Sequence, residues 1–144
     1  MKYTCIIEID RPIDEVVSKF DNPDNLDKWM EGLQSMELIS GEAGQPGAKS
    51  KMIFLHKNRE MELIETILVR NLPDEFTGTY ESSMSMSTNT NRFESIDSGR
   101  TRMTMDAEFK FNGFMKFLAF LMPGAFKKQS MKYLTAFKAM VEST

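Results

Sequence analysis

The chain has few of the residues that announce chemistry directly. Cys5 is its only cysteine and His56 its only histidine, so no intramolecular disulfide can form and no cysteine–histidine zinc site can be assembled. No metal and no cofactor is expected, and a reducing cytoplasm is the expected location. Long apolar runs are missing too. Residues 113–122 are apolar at eight of ten positions, before Pro123, Lys127 and Lys128 close the stretch. That is half of the ~20 residues a membrane helix needs, so no transmembrane segment is expected. The opening MKYTCIIEID is too short in its apolar part, and too acidic after it, to read as a secretory leader. The 18 basic residues, set against 21 acidic ones for a formal charge of −3, are scattered rather than massed. Without a concentrated cationic face to displace counterions from phosphates, nucleic acid is not an expected partner.

What is present is ordered patterning. A length of 144 residues suits one domain, in which about 70% of the unfolded surface can be buried. Residues 3–9 alternate, with Tyr3, Cys5, Ile7 and Ile9 on one face and Ile6 as the exception, which predicts a half-buried strand. DRPIDEVVSKF reads as a short helix with Asp10 as cap, Pro12 in the first turn, and a stripe of Ile13, Val16, Val17 and Phe20. Asn22-Pro23 ends it, and DNLDKWM starts a second helix with Leu26, Trp29 and Met30 on a common side. Between residues 33 and 111 the period is two. The punctuation SGEAGQPGAK, HKNRE, NLPDE and DSGR predicts strands at 33–40, 49–57, 60–71, 74–82, 86–97 and 100–111. The turn at 82–86, without glycine or proline, is the weakest boundary. Short links between seven strands imply an antiparallel sheet. The last stretch returns to helical spacing, with Phe126, Met131, Leu134, Phe137 and Val141 along one side and Lys127, Lys128, Lys132 and Lys138 toward water. Pro123 makes residues 113–122 a separate or kinked piece.

Charged residues assign the strand faces, because a one-residue slip exchanges the whole set. Lys49, Lys51 and Lys57 leave Met52, Phe54 and His56 inward, and Met61, Leu63, Ile67 and Val69 carry Glu65 inward with them. Glu75 and Glu81 leave Phe76, Gly78 and Tyr80; Arg92 and Glu94 leave Asn89, Asn91 and Phe93; Arg102, Asp106 and Glu108 leave Met103, Met105, Ala107 and Phe109. Each buried polar group among these costs about 1–3 kcal/mol unless hydrogen-bonded. An apolar space with a few convergent polar groups describes a small-molecule site. Thirteen methionines suit either an adaptable pocket, for which Met52, Met103 and Met105 are the candidates, or ordinary core filling. Asn89 and Asn91 either meet a ligand head group or, in another register, face water. His56 and Glu65 on adjacent strands, with Tyr80 on the next, are the candidates for acid–base catalysis. The tight hairpin register sets His56 nearer Met61 than Glu65, and a polar pair that only orients a ligand is the alternative. Cys5 has no activating neighbour and reads as packing.

The order of strand, two short helices, six strands and long terminal helix resembles the START/polyketide-cyclase-like superfamily (SRPBCC), an α+β helix-grip fold shared with plant pollen-allergen proteins. The likeness rests on IEIDRPIDEVVSKFDNPDNLDKWM, SGEAGQPGAK, NRFESIDSGRTRMTM and the helix from Pro123. It implies a curved seven-stranded sheet wrapped around the terminal helix, with a cavity between them for lipids, sterols, polyketides or similar molecules. Met131 and Leu134 on that helix, and Ile67 on the sheet, are then expected ligand contacts. So is Trp29, either stacked on a ligand at the mouth or anchoring helix to sheet. Phe114, Phe117, Phe120 and Leu121 form a hinged lid that can touch a membrane transiently, or else pack the sheet. Binding or transport of a hydrophobic small molecule is the functional expectation. The alternatives are a cyclase or dehydratase using His56, Glu65 and Tyr80, and a protein-binding co-chaperone module.

Overall fold

A computed structural model describes residues 1–143. The alternation of residues 3–9 becomes strand β1 (Lys2–Ile9), with Cys5 and Ile9 buried and Ile6 exposed. Helix α1 (Ile13–Phe20) turns Val16 fully inward. Asp10 does not cap it. Pro12 occupies that position without a side-chain bond, while the Asp10 amide donates to the Glu142 carboxylate at 2.7 Å and the Arg11 guanidinium to the Glu142 carbonyl. A cation thus meets the carbonyl-rich end of the last helix, where the dipole favours it. A 3₁₀ turn (Pro23–Asn25) leads into the single-turn helix α2 (Leu26–Trp29).

Six strands follow: β2 (Leu33–Ser40), β3 (Lys49–His56), β4 (Arg59–Asn71), β5 (Glu75–Glu81), β6 (Ser85–Asp97) and β7 (Arg100–Phe111). They lie within about two residues of the boundaries expected from punctuation. The sheet is antiparallel throughout, in the order β1-β7-β6-β5-β4-β3-β2. Since β1 and β2 are opposite edges, the link between them must cross the sheet's whole width, and α1 and α2 are that link. The β3–β4 hairpin turns on Lys57 and Asn58, both at positive φ, the conformation whose twist suits a two-residue hairpin. The turn without glycine or proline is held instead by the Ser82 hydroxyl, which accepts the amides of Met84 and Ser85 at 3.2 and 3.1 Å.

After β7 come α3 (Phe114–Leu121) and α4 (Pro123–Glu142), separate helices with Pro123 in the first turn of the second. Helix α4 runs along β1. The Tyr3 hydroxyl lies 2.7 Å from Ser130 Oγ and 3.2 Å from the Phe126 carbonyl oxygen, and Lys138 Nζ donates to the Glu8 carbonyl at 2.6 Å. The main core gathers Ile9, Val16, Trp29, Phe93, Met103, Leu134, Phe137 and Val141. Phe20 meets the rings of Phe76, Phe93, Phe137 and Trp29 at centroid separations of 5.0–6.2 Å. Each fully buried large side chain contributes about 1.5–3 kcal/mol. The architecture is the helix-grip arrangement: an open, curved, seven-stranded sheet holding a long terminal helix.

Candidate functional site

Antiparallel register stacks the inward side chains into rows across the sheet. One row reads Ser50, Glu65, Tyr80, Ser87, Phe109, and its neighbour reads Ile67, Gly78, Asn89, Ala107, Tyr3. Serine, glycine and alanine give the sheet a low floor here, from which Glu65, Tyr80 and Asn89 rise. A Cβ on Gly78 would sit 3.5 Å from Tyr80 Oη and 3.6 Å from Cε2, so the phenol ring lies back over the glycine.

Tyr80 stands directly opposite Glu65 in the ladder, which places its phenol to donate to that carboxylate. Burial raises the Glu65 carboxyl above the usual carboxylate range, and the Tyr80 hydrogen bond opposes that rise. The Tyr80 phenol is pushed well above its ordinary value, first by burial, then by the charge and hydrogen bond of Glu65. It therefore remains a donor through the physiological pH range. Asn89 Oδ1 and Trp29 Nε1 are buried with no hydrogen-bond partner among the described residues. An unmet buried polar atom costs about 1–3 kcal/mol, a penalty that a ligand hydroxyl or amide could remove.

Met52, Phe54 and Ile67 are buried yet stand outside the main core cluster, on the same face as Glu65. Asn91 is buried opposite Phe76 and Met105. Phe93, Met103, Met105 and Leu134 belong to the main core, and half-buried Met131 packs against it. Trp29 also lies within this core, 5.1 Å from the Phe137 ring centroid, the packing expected of a helix anchor.

Three expected contacts are elsewhere. His56 has the inward parity but is exposed, paired with Arg59 at the hairpin tip, where β3 has run past the covering helices. It therefore cannot pair with Glu65, whose neighbour on β3 is Ser50. Met61, opposite Phe54, is 43% exposed for the same reason, and the concave face is open to water at that end. Phe117 and Phe120 face outward, because α3 packs only one narrow side on β7. Ser50 and Ser87, buried beside Glu65 and Tyr80, were missed. Their parity marks them as inward, but serine reads as a solvent residue.

Two open surface clefts, of about 390 and 400 Å³, lie by Thr4, Thr88, Thr90 and Asp106 and by Leu26, Leu33 and Met36; neither is lined by Glu65, Tyr80 or Asn89.

Residues 2–142 match the family described as polyketide cyclase / dehydrase and lipid transport. No curated protein matches the sequence. Among solved structures, the chain is similar to the Zhui aromatase/cyclase from Streptomyces sp. R1128 (TM-score 0.80, 10% identity, covering 99% of this chain and 93% of that one). It is also similar to a START superfamily protein from Mycobacterium smegmatis (0.77, 9%, 99% and 97%) and to Ara h 8.0201 (0.78, 14%, 100% and 99%). At such identities the likeness is one of fold.

Proposed function

Because the chain belongs to the family of polyketide cyclases, dehydrases and lipid-transport proteins, we propose that it binds and carries a hydrophobic small molecule on the concave face, between the sheet and α4. The supporting observation is a polar trio on the concave wall: Tyr80 opposite Glu65, and Asn89 with an acceptor unmet. Met52, Phe54 and Ile67 supply the apolar contact, and a few placed polar groups orient a guest. The trio also selects the guest's chemistry. A buried carboxyl, with an unmet acceptor two strands away on the same face, favours a neutral molecule with a hydroxyl or amide donor and opposes a second carboxylate. Native mass spectrometry of freshly purified protein tests the proposal, followed by titration with a long-chain alcohol and the matching fatty acid. The expected result is a co-purifying apolar mass and tighter binding of the alcohol. Absence of any bound mass, together with no binding of either probe, would refute it.

The raised carboxyl of Glu65 favours a second reading, a cyclase or dehydratase. With His56 at the hairpin tip, that reading narrows to Glu65 as the proton-transferring group and Tyr80 as its donor. Glu65→Gln separates the two: it abolishes turnover in an enzyme and leaves most of a carrier's affinity.

A further inference from the structure

Helix α3 inverts the usual pattern of a surface helix. Phe114, Phe117 and Phe120 are 71, 57 and 81% exposed, and Leu121 and Met122 are exposed as well, while Ala119 is the helix's buried residue. Spacings of three and four place Phe114, Phe117 and Leu121 on one side with Phe120 beside them. Lys116 is the one charge in the helix. The Asn112 amide donates to the Met84 carbonyl at 2.9 Å, so exposed Met84 of the β5–β6 turn borders the start of α3. An apolar face of this kind on an exposed element marks a docking surface.

The charge pattern identifies what docks. Cations are less evenly scattered than composition implied: residues 109–141 hold six of the chain's 18 basic residues and none of its 21 acidic ones. Lys116 on α3 and Lys127, Lys128 and Lys132 in the first three turns of α4, which follows it directly, are all exposed. A purely apolar protein partner would have no use for that segregation. Aromatic side chains that enter the acyl boundary, rimmed by ammonium groups at the level of the phosphates, are complementary to an anionic lipid surface.

We propose that the α3 face, with Met84 and the flanking lysines, docks the protein on anionic bilayers. Beneath α3, Phe109, Phe111 and Phe126 form a cluster with centroids 4.9–5.5 Å apart, and Phe109 ends the row that holds Glu65 and Tyr80. Docking would therefore bring the polar end of the concave face toward the membrane. It does not depend on the ligand proposal, since the vesicles carry no probe and the interior need not be filled.

Vesicle flotation tests this, with phosphatidylcholine alone and with added phosphatidylglycerol, at low and high salt. The wild-type chain is expected to float with the anionic vesicles only, and to lose binding as salt rises. Phe117→Ser with Phe120→Ser is expected to weaken binding at least about tenfold, and Lys127→Glu with Lys128→Glu about fivefold per lysine lost, with unchanged melting temperatures. Should the aromatic variant melt early, the lysine variant and the salt series decide. Three results overturn the proposal: wild-type protein that stays in solution with anionic vesicles, equal binding to both vesicle types, or no vesicle binding alongside a concentration-dependent dimer that the aromatic substitutions dissolve.

Discussion

The two ends of the concave face are built differently. At one, Ile9, Val16, Trp29, Phe93, Met103, Phe137 and Val141 interlock into a closed core, clamped where Arg11 and the Asp10 amide meet Glu142. At the other, small residues expose a polar row, the β3–β4 hairpin outruns its cover, and α3 turns its rings outward. The first end stores stability. The second carries the costs that stability must offset: a buried carboxyl, an unmet carbonyl and exposed aromatic side chains. The tightest packing and the proposed site thus lie at opposite ends of one sheet.

The contrast is sharpest under truncation. Phe137→Ala should lose about 3–5 kcal/mol by chemical denaturation, since a fully buried ring leaves a cavity its neighbours cannot fill. A loss under 1 kcal/mol would mean that the packed end is loose. At the polar end, Tyr80→Phe should cost about 1–3 kcal/mol, because Glu65 then keeps its burial without its donor. Asn89→Leu should leave stability unchanged or improved while weakening the long-chain alcohol; a folding loss like that of Phe137→Ala would make Asn89 a core residue.

Glu65 gives the contrast a pH dependence. Its folded carboxyl titrates above its unfolded value, so its favourable contribution is complete below the unfolded pKa and is lost as pH rises through the folded one. The stability of Glu65→Gln relative to wild type should therefore climb in thermal melts as pH rises from below the unfolded carboxyl's pKa through the folded one. A flat difference would place the carboxylate in water. The smallest effect belongs to the convex face. There Arg92 and Asp106 pair at 2.5 Å with both side chains about half exposed, and Arg92→Ala should cost about 0.2–1 kcal/mol and vanish into the noise at high salt.

Much of this was legible in the chain, for reasons that differ by element. Strand faces were readable because side-chain period is two and the lysines, arginines and glutamates mark the wet side; Glu65, Tyr80 and Asn89 came out inward on that ground alone. His56 obeyed the same parity and was misplaced, because parity says which way a side chain points but not how far the cover extends. Asp10 had the chemistry of a cap, yet its amide was taken by Glu142, a residue 132 positions away. Phe117 and Phe120 read as wall or lid because apolar residues are ordinarily covered, and nothing local reveals that α3 meets the sheet along only one narrow side.

Alternation, punctuation and the two helical stripes were therefore enough to specify the elements, their boundaries and the inward faces, since these follow from local geometry that repeats every two or 3.6 residues. Which end of the sheet would be sealed and which left open was decided only when the helices crossed it. Coverage depends on contacts between residues far apart in the chain, and periodicity carries no record of them.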